Sequence, residues 1–136
     1  MEEDELELRD GVCLAQKDIR AVQLAKAAIA AGIETLMECA GVRPSDIGTL
    51  YIAGGFGSHL NVHSAALIGL LPALLVGRVR VIGNAALSGA ARLLLSQDEE
   101  AAAQDIARRA QHVNLGGNPR FNERYVEHML FPFEED

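Results

Sequence analysis

The sequence predicts an α/β fold with a short, mainly parallel sheet, a small N-terminal hairpin and flanking helices. Residues 50–53 form a continuous apolar run that ends in glycine, which is typical of a strand buried on both faces of a parallel sheet. Residues 78–82 form a second strand-like segment, and a helical pattern follows it directly. The chain has 136 residues, 49% of them hydrophobic, so we expect a single domain over residues 1–136.

The first element is predicted to be a hairpin. Residues 5–8 alternate polar and apolar side chains, Asp10 and Gly11 supply a turn, and residues 12–14 form the second strand. Because a two-stranded hairpin of this size is not stable alone, we expect it to form the edge of a larger sheet.

A long helix is expected from Gln16, because apolar residues recur with helical spacing as far as Met37. Gly32 is a candidate kink, and Gly41 is the stop signal. The next loop carries Asp46 in the sequence D-I-G-T, which is similar to a phosphate-binding hairpin of certain ATPases. No strand is predicted before Asp46, so we interpret this loop as an Asx turn.

The residues directly after the strand at 50–53 are the main candidates for a ligand site. Ligands of open α/β sheets bind beyond the carboxyl ends of the strands, and glycine lets a ligand approach the main chain. The candidates are Gly54, Gly55, Phe56, Gly57 and Ser58. In an alternative interpretation, the glycines only form a tight exit from the strand.

Two common nucleotide motifs fit this corner poorly. A dinucleotide fingerprint is incomplete because Leu60 stands at the third glycine position. A phosphate loop of the Walker type is excluded because the chain contains no Gly-Lys-Ser/Thr sequence.

Between the two predicted strands, Asn61 is expected to cap a short helix that runs through Ile68. Residues 70–76 are apolar and irregular, and we expect most of them to lie in the core. Part of this segment is a candidate patch for a partner or for a further domain.

Gly83 and Asn84 end the second predicted strand and begin a helix over residues 85–95 that is rich in small residues. The positive end of that helix favours an anion, so Gly83 and Asn84 join the candidate site. In the alternative interpretation, Gly89 and its neighbours merely pack tightly against the first helix.

The remaining elements are predicted from local signals. Ser96 and Glu99 form a capping box for a helix that runs to about Ala110. Residues 112–115 are expected to form a short strand, and a last helix is expected over residues 120–129, before an acidic end at residues 134–136.

The composition excludes several classes of function. The net charge of −7 argues against a nucleic-acid partner and against an anionic membrane surface. The longest apolar run, residues 65–77, is too short to span a bilayer, and the acidic residues 1–4 do not resemble a secretory signal. Cys13 and Cys39 lie among apolar neighbours and are predicted to be buried free thiols, which suits a reducing cytoplasm.

No catalytic or metal-binding constellation is predicted. His59 and His63 are four residues apart and would share one face of a helix, but no third ligand is evident and Asn61 breaks the helical pattern between them. We therefore interpret both as surface histidines. His112 and His128 have no recognisable partners in the sequence.

The order of these elements resembles the distal half of the second lobe of the actin, sugar-kinase and chaperone ATPase superfamily. In that superfamily a strand ending in two glycines forms the adenosine motif, and a later small-residue helix is the second connecting helix. Residues 52–55 resemble the first, and residues 83–90 resemble the second.

One branch of the superfamily is similar in more detail. Residues 16–20, 23–29, 53–58 and 68–72 resemble the reductive activators of corrinoid proteins and relatives that are described as ferredoxin-like or metal-binding. The resemblance covers residues 12–133 and implies ATP with Mg²⁺ as cofactor and a corrinoid protein as partner. It also implies a [2Fe-2S] cluster, which would be carried by a separate N-terminal region.

By position in that family, Gly54, Gly55 and Gly57 would line the adenosine and α-phosphate, with Gly83 and Asn84 close by. The chain has neither the aspartate hairpins that hold the other phosphates nor four clustered cysteines for an iron–sulfur centre. The resemblance therefore implies the C-terminal part of a longer protein, unable to hydrolyse ATP alone. Two alternatives stay open: an interaction or homodimerisation module that uses residues 70–76, and a small dinucleotide-binding domain.

Overall fold

The computed structural model describes residues 5–132, which form two small sheets, one long helix and several shorter helices. The predicted acidic ends, at residues 1–4 and 134–136, lie outside this range. The strands are β1 (Glu5–Glu7), β2 (Cys13–Ala15), β3 (Leu50–Ala53) and β4 (Val79–Gly83). The α-helices are α1 (Gln16–Ala40), α2 (Val62–Leu67), α3 (Ala85–Leu95), α4 (Gln97–Arg109) and α5 (Pro119–Glu127). Short 3-10 helices occupy Pro44–Asp46, Gly57–His59 and Ala73–Arg78.

Helix α1 contributes half of the buried apolar residues, all of them alanines on one face. Its first turn is closed by Asp18, whose carboxylate accepts a hydrogen bond from the Ala15 N–H at 3.0 Å. Gly41 ends the helix with φ at 65°, the left-handed conformation typical of glycine at this position. The helix runs through Gly32, where a kink was expected and where Leu115 approaches the helix instead.

Helix α5 is fastened to α1 by charged side chains. The Arg124 guanidinium lies 2.6 Å from the Glu38 carboxylate, 3.5 Å from that of Glu34 and 3.3 Å from the Thr35 hydroxyl. His128 lies 3.1 Å from the other oxygen of Glu34. The Arg124 side chain is less than a quarter exposed, so this cluster fixes the position of the C-terminal helix more firmly than a solvated ion pair would.

The predicted hairpin is confirmed, but its predicted place in a larger sheet is wrong within residues 5–132. β1 and β2 pair antiparallel through a turn in which Asp10 and Gly11 both have positive φ, at 57° and 76°. The pair forms a two-stranded sheet of its own. The reason is that Ala15 ends β2 and caps α1 at the same time, so the chain leaves the hairpin for the helix.

β3 and β4 form the parallel pair that the sequence predicts, with Leu50 opposite Val79 and Ala53 opposite Gly83. The short helix before β4 is also confirmed, because the Asn61 side chain accepts a hydrogen bond from the Ser64 N–H at 2.9 Å. The loop before β3 is confirmed, but it is not the predicted Asx turn: residues Pro44–Asp46 form a 3-10 turn, and the Asp46 carboxylate accepts from the Arg43 N–H three residues earlier, at 3.0 Å. These hydrogen bonds hold the pKa of Asp46 below its usual value, first through the Arg43 side chain.

Two local predictions after β4 are corrected. Residues 112–115 form no strand, and Leu115 instead lies against α1 at Gly32. Ser96 does precede α4, but its side chain makes no capping hydrogen bond. Glu99, the expected partner in the capping box, lies 3.8 Å from Arg92 on α3.

Both cysteines are free thiols, as predicted, but both are exposed rather than buried. Cys13 lies on β2, which no second sheet covers within residues 5–132. Cys39 lies in the last turn of α1, where the buried face has already ended at Thr35. Apolar neighbours in sequence therefore did not indicate burial here, since the surfaces that could cover them are absent from the described structure.

The core is small for a chain of this size. Its buried apolar residues are Ala27, Ala30, Ala31, Ala65, Leu71 and Leu75, and neither α3 nor α4 contains a buried residue. The accessible surface is 10457 Å², whereas a compact monomer of 14.6 kDa exposes about 6,900 Å². Within residues 5–132, none of the helices combines the length and apolar character needed to cross a membrane.

Candidate functional site

The two glycine corners meet at one edge of the parallel pair. The Gly54 N–H donates a hydrogen bond of 2.7 Å to the Gly83 carbonyl, directly beyond the paired residues Ala53 and Gly83. The carboxyl ends of parallel strands lie at the same edge of a sheet, so the corners that follow β3 and β4 lie next to each other. The structure therefore brings Gly54 and Gly83 together, as the sequence predicts.

The first corner, residues 54–59, is called the glycine loop below. Ser58 closes it, because both its N–H (3.2 Å) and its hydroxyl (3.0 Å) donate to the Gly54 carbonyl. Phe56 lies at the outside of the loop and is 78% exposed, so its ring does not fill the space between the two corners. The loop presents main chain to the strand edge with little side chain in front of it.

The four glycines of the two corners differ in what the fold requires of them. Gly54 and Gly83 have φ at 92° and 62°, a conformation that other residues adopt with strain. A Cβ at Gly57 would collide with Cγ2 of Ile52, so no side chain fits there. Gly55 has neither a positive φ nor any atom within 4 Å of the place where a side chain would begin. The fold explains three of these glycines and leaves Gly55 unexplained.

Several backbone donors at this edge are free. Among the hydrogen bonds formed within residues 5–132, none uses the N–H of Gly55, Phe56 or Gly57. On the other corner, Asn84 caps α3 by accepting from the Leu87 N–H at 3.0 Å. Successive free amides beside a helix N-terminus attract negative charge. The edge thus has the chemistry of an anion cradle.

The histidines that the sequence places near this corner are both exposed, His59 at the end of the glycine loop and His63 in α2. No group of three His, Cys, Asp or Glu side chains in the described part of the chain is arranged to hold a metal ion. This edge therefore offers main-chain donors rather than a set of ionisable ligands.

Sequence reasoning missed a second feature, a cavity of about 540 Å³ between α1, the turn after α2 and the segment after α5. Lys26 of α1 lines it and is only 1% exposed. Its ammonium donates to the Leu130 carbonyl and lies 5.3 Å from the centre of the Phe131 ring. The available signal was the position of Lys26, one turn before Ala30 on the alanine face of α1. None of the predicted site residues lines this cavity.

Burial lowers the pKa of Lys26, which predicts how its contribution to stability changes with pH. The unfolded chain keeps the proton at pH values where the folded chain has lost it, so stability rises with pH between the lowered pKa and the ordinary lysine value of 10.5. We expect the wild type to gain stability relative to Lys26→Met as the pH rises toward 10.5, in urea unfolding of both proteins. Lys17→Met, on the exposed start of α1, is the matched control and should show no such trend. A constant difference between wild type and Lys26→Met would contradict the prediction.

The parallel pair, the glycine corner and the small-residue helix behind it together define the class, which is the ASKHA type of domain. The whole chain, residues 1–136, matches the family model described as the C-terminal domain of RACo, the ASKHA domain. The chain therefore belongs to the family of ASKHA domains of reductive activators of corrinoid proteins.

Two relatives make the comparison specific. The chain is 44% identical over 120 residues to the corrinoid activation enzyme RamQ of Eubacterium limosum, covering 88% of this chain and 20% of that protein. It is also similar to the solved structure of a reductive activator for corrinoid, iron-sulfur protein, with a TM-score of 0.81 and 30% identity over 98% of this chain and 24% of that one. The chain thus spans between a fifth and a quarter of the length of these relatives. The fold class and the family predicted from the sequence are confirmed.

Proposed function

We propose that this chain forms the adenosine side of a nucleotide site in a reductive activator of corrinoid proteins. The observation that carries the proposal is the bond between the Gly54 N–H and the Gly83 carbonyl, which joins the two glycine corners beside a row of free amides. Gly54, Gly55, Gly57, Gly83 and Asn84 would surround the adenosine and α-phosphate, with Phe56 and Ser58 completing the loop. The open position at Gly55 supports this assignment. A ligand that approaches the main chain there would require the absence of a side chain, which the fold alone does not require.

ATP with Mg²⁺ is the proposed nucleotide, and the free amides at residues 55–57 suit the charge of its α-phosphate. The chain supplies neither the aspartate hairpins expected to hold the other phosphates and Mg²⁺ nor a cysteine cluster for the proposed [2Fe-2S] centre. We therefore assign this chain to nucleotide binding and not to catalysis on its own. When bound, ATP would supply the free energy for reducing the corrinoid partner, in line with the activities for which the two relatives are named.

We also propose that residues 1–136 are the distal half of a lobe and pack against further domains of a longer chain. The exposed area exceeds that of a compact monomer by about 3,500 Å², which is more than twice the roughly 1,600 Å² of a standard interface. Helix α3 carries much of this excess, since Leu87, Leu94 and Leu95 are largely exposed. An excess of exposed surface of this extent is more typical of a permanent interface than of a transient partner site.

We propose a cytoplasmic location for the protein. Cys13 and Cys39 are exposed free thiols, and such thiols persist in reducing compartments.

A second candidate function is a docking or homodimerisation module. Leu74 is 77% exposed, and its neighbour Ala73 lines a shallow, mainly apolar groove together with His63, Ala66, Leu67 and Val76. Ala73 and Val76 belong to the segment 70–76 that the sequence marks as a candidate patch for a partner, and the other three residues come from α2. In this interpretation the glycines serve the fold alone, but that does not account for Gly55.

The proposal is tested by titrating the full-length protein with a fluorescent ATP analogue in the presence of Mg²⁺. We expect saturable binding that unlabelled ATP reverses and NADH does not. Reversal by NADH at similar concentrations would favour the dinucleotide-binding alternative. Absence of saturable binding would contradict the nucleotide proposal and favour the docking module.

A further inference from the structure

His59 is bonded to the glycine loop, although the sequence marks it only as a surface histidine. Its Nδ1 atom lies 3.1 Å from the Gly55 carbonyl oxygen. A carbonyl can only accept a hydrogen bond, so Nδ1 carries the proton and donates it. Together with Ser58, which is bonded to the Gly54 carbonyl, His59 ties down two consecutive carbonyls of the loop.

These two bonds determine where the free amides of the loop point. The carbonyl of one residue and the N–H of the next belong to the same planar peptide group and point in opposite directions. Because the Gly54 carbonyl faces Ser58, the Gly55 N–H points away from Ser58. By the same geometry, the Gly55 carbonyl faces His59 and the Phe56 N–H points away from that ring.

The peptide after Gly55 needs such a restraint. Glycine adopts positive and negative φ with similar ease, so a peptide group beside it reorients at low cost. No side chain surrounds this position, since a Cβ at Gly55 would find no atom within 4 Å. Within residues 5–132, the bond from His59 is the contact that holds the Gly55 carbonyl in its observed direction.

We propose that His59 is a positioning residue of the nucleotide site, which keeps the Phe56 N–H directed toward the bound phosphate. This inference rests on the proposed function and assigns to His59 a role separate from the ligand contacts. His63 is the natural control, because it is also exposed and makes no side-chain hydrogen bond within the described residues.

The first test compares four variants in the full-length protein by titration with the fluorescent ATP analogue. His59→Ala should weaken binding roughly threefold to tenfold, the effect of losing one oriented hydrogen bond, whereas His63→Ala should bind like the wild type. His59→Asn should restore affinity, because Nδ2 of asparagine and Nδ1 of histidine are both attached to Cγ, so each N–H reaches equally far along the side chain. His59→Gln places its amide one bond farther along and should not restore affinity.

The second test does not depend on nucleotide binding. Selective ¹⁵N labelling of histidine and phenylalanine should show the Nδ1-protonated tautomer at His59, and the Phe56 amide resonance should shift in His59→Ala but not in His63→Ala. Wild-type affinity in His59→Ala, or an Nε2-protonated His59, would overturn the inference while leaving the proposed nucleotide site intact. Absence of nucleotide binding in the wild type would overturn the proposed function, and the Phe56 resonance would then still decide whether His59 orders the loop.

Discussion

Gly55→Val is expected to lower the affinity of the full-length protein for ATP by about a hundredfold, or about 2.8 kcal/mol, without disturbing the fold. The space where the valine side chain would begin is empty, because a Cβ at Gly55 meets no atom within 4 Å, and we therefore expect the fold to accept the substitution. The same space is where the nucleotide is proposed to approach the main chain, and an isopropyl group would keep the ligand at a distance. The measurement is titration with the fluorescent ATP analogue, together with a thermal unfolding curve.

Gly55 is the best position for testing ligand binding, because the fold itself requires glycine at the neighbouring positions. Substitutions at Gly54 or Gly83 would strain a positive φ, and a side chain at Gly57 would collide with Ile52, so each would change fold and binding together. Gly48→Val is the matched control, since Gly48 is also exposed with no atom within 4 Å of the side-chain position and lies before β3, at the other end of the strand. Equal affinity in Gly55→Val and Gly48→Val would count against the nucleotide site.

Leu75→Ala is expected to lower the free energy of unfolding by about 2–5 kcal/mol, the cost of deleting a large side chain from a packed core. Leu75 is 1% exposed and is the largest apolar side chain among the fully buried residues. The core holds few apolar side chains of that size, and four of its six buried apolar residues are alanines. Each lost methylene therefore removes a larger share of the stability than it would in an ordinary domain.

Leu74→Ala is the matched control for Leu75→Ala, with the same chemistry one residue earlier. Leu74 is 77% exposed, so its truncation should change the free energy of unfolding by no more than about 0.5 kcal/mol. Urea unfolding of both variants provides the measurement. A loss at Leu74 as large as the loss at Leu75 would show that another part of the full-length protein covers this surface.

The contrast between these two leucines also sharpens the test of the docking module. Leu74→Asp places an exposed charge next to Ala73 of the groove and leaves the core intact, whereas the same change at Leu75 would bury a carboxylate without a partner. Loss of corrinoid-protein binding in Leu74→Asp, with ATP affinity unchanged, would support the docking module. If Leu74→Asp still bound both the corrinoid protein and ATP, the groove would have no function in partner recognition.

Much of the fold could be predicted because its signals are local. β3 and β4, the left-handed stop at Gly41, and the caps at Asn61 and Asn84 all follow from short stretches whose conformational preferences the structure does not override. The meeting of the two glycine corners was also predictable, because parallel strands end at a common edge. Each of these features depends on neighbours along the chain or on one general rule of sheet geometry.

The sequence by itself thus determined the helices and the two pairs of strands, the family and the candidate loop, although it also predicted a strand at residues 112–115 that the structure does not contain. Only the tertiary structure decided which surfaces are covered: it left Cys13 and Cys39 exposed, kept the hairpin out of the other sheet and buried Lys26 beneath the segment after α5. It alone also separated His59 from His63 and Gly55 from the other glycines. The physical reason is that burial and hydrogen bonding depend on residues distant in sequence or on the exact path of a loop, which local patterns of residues do not specify.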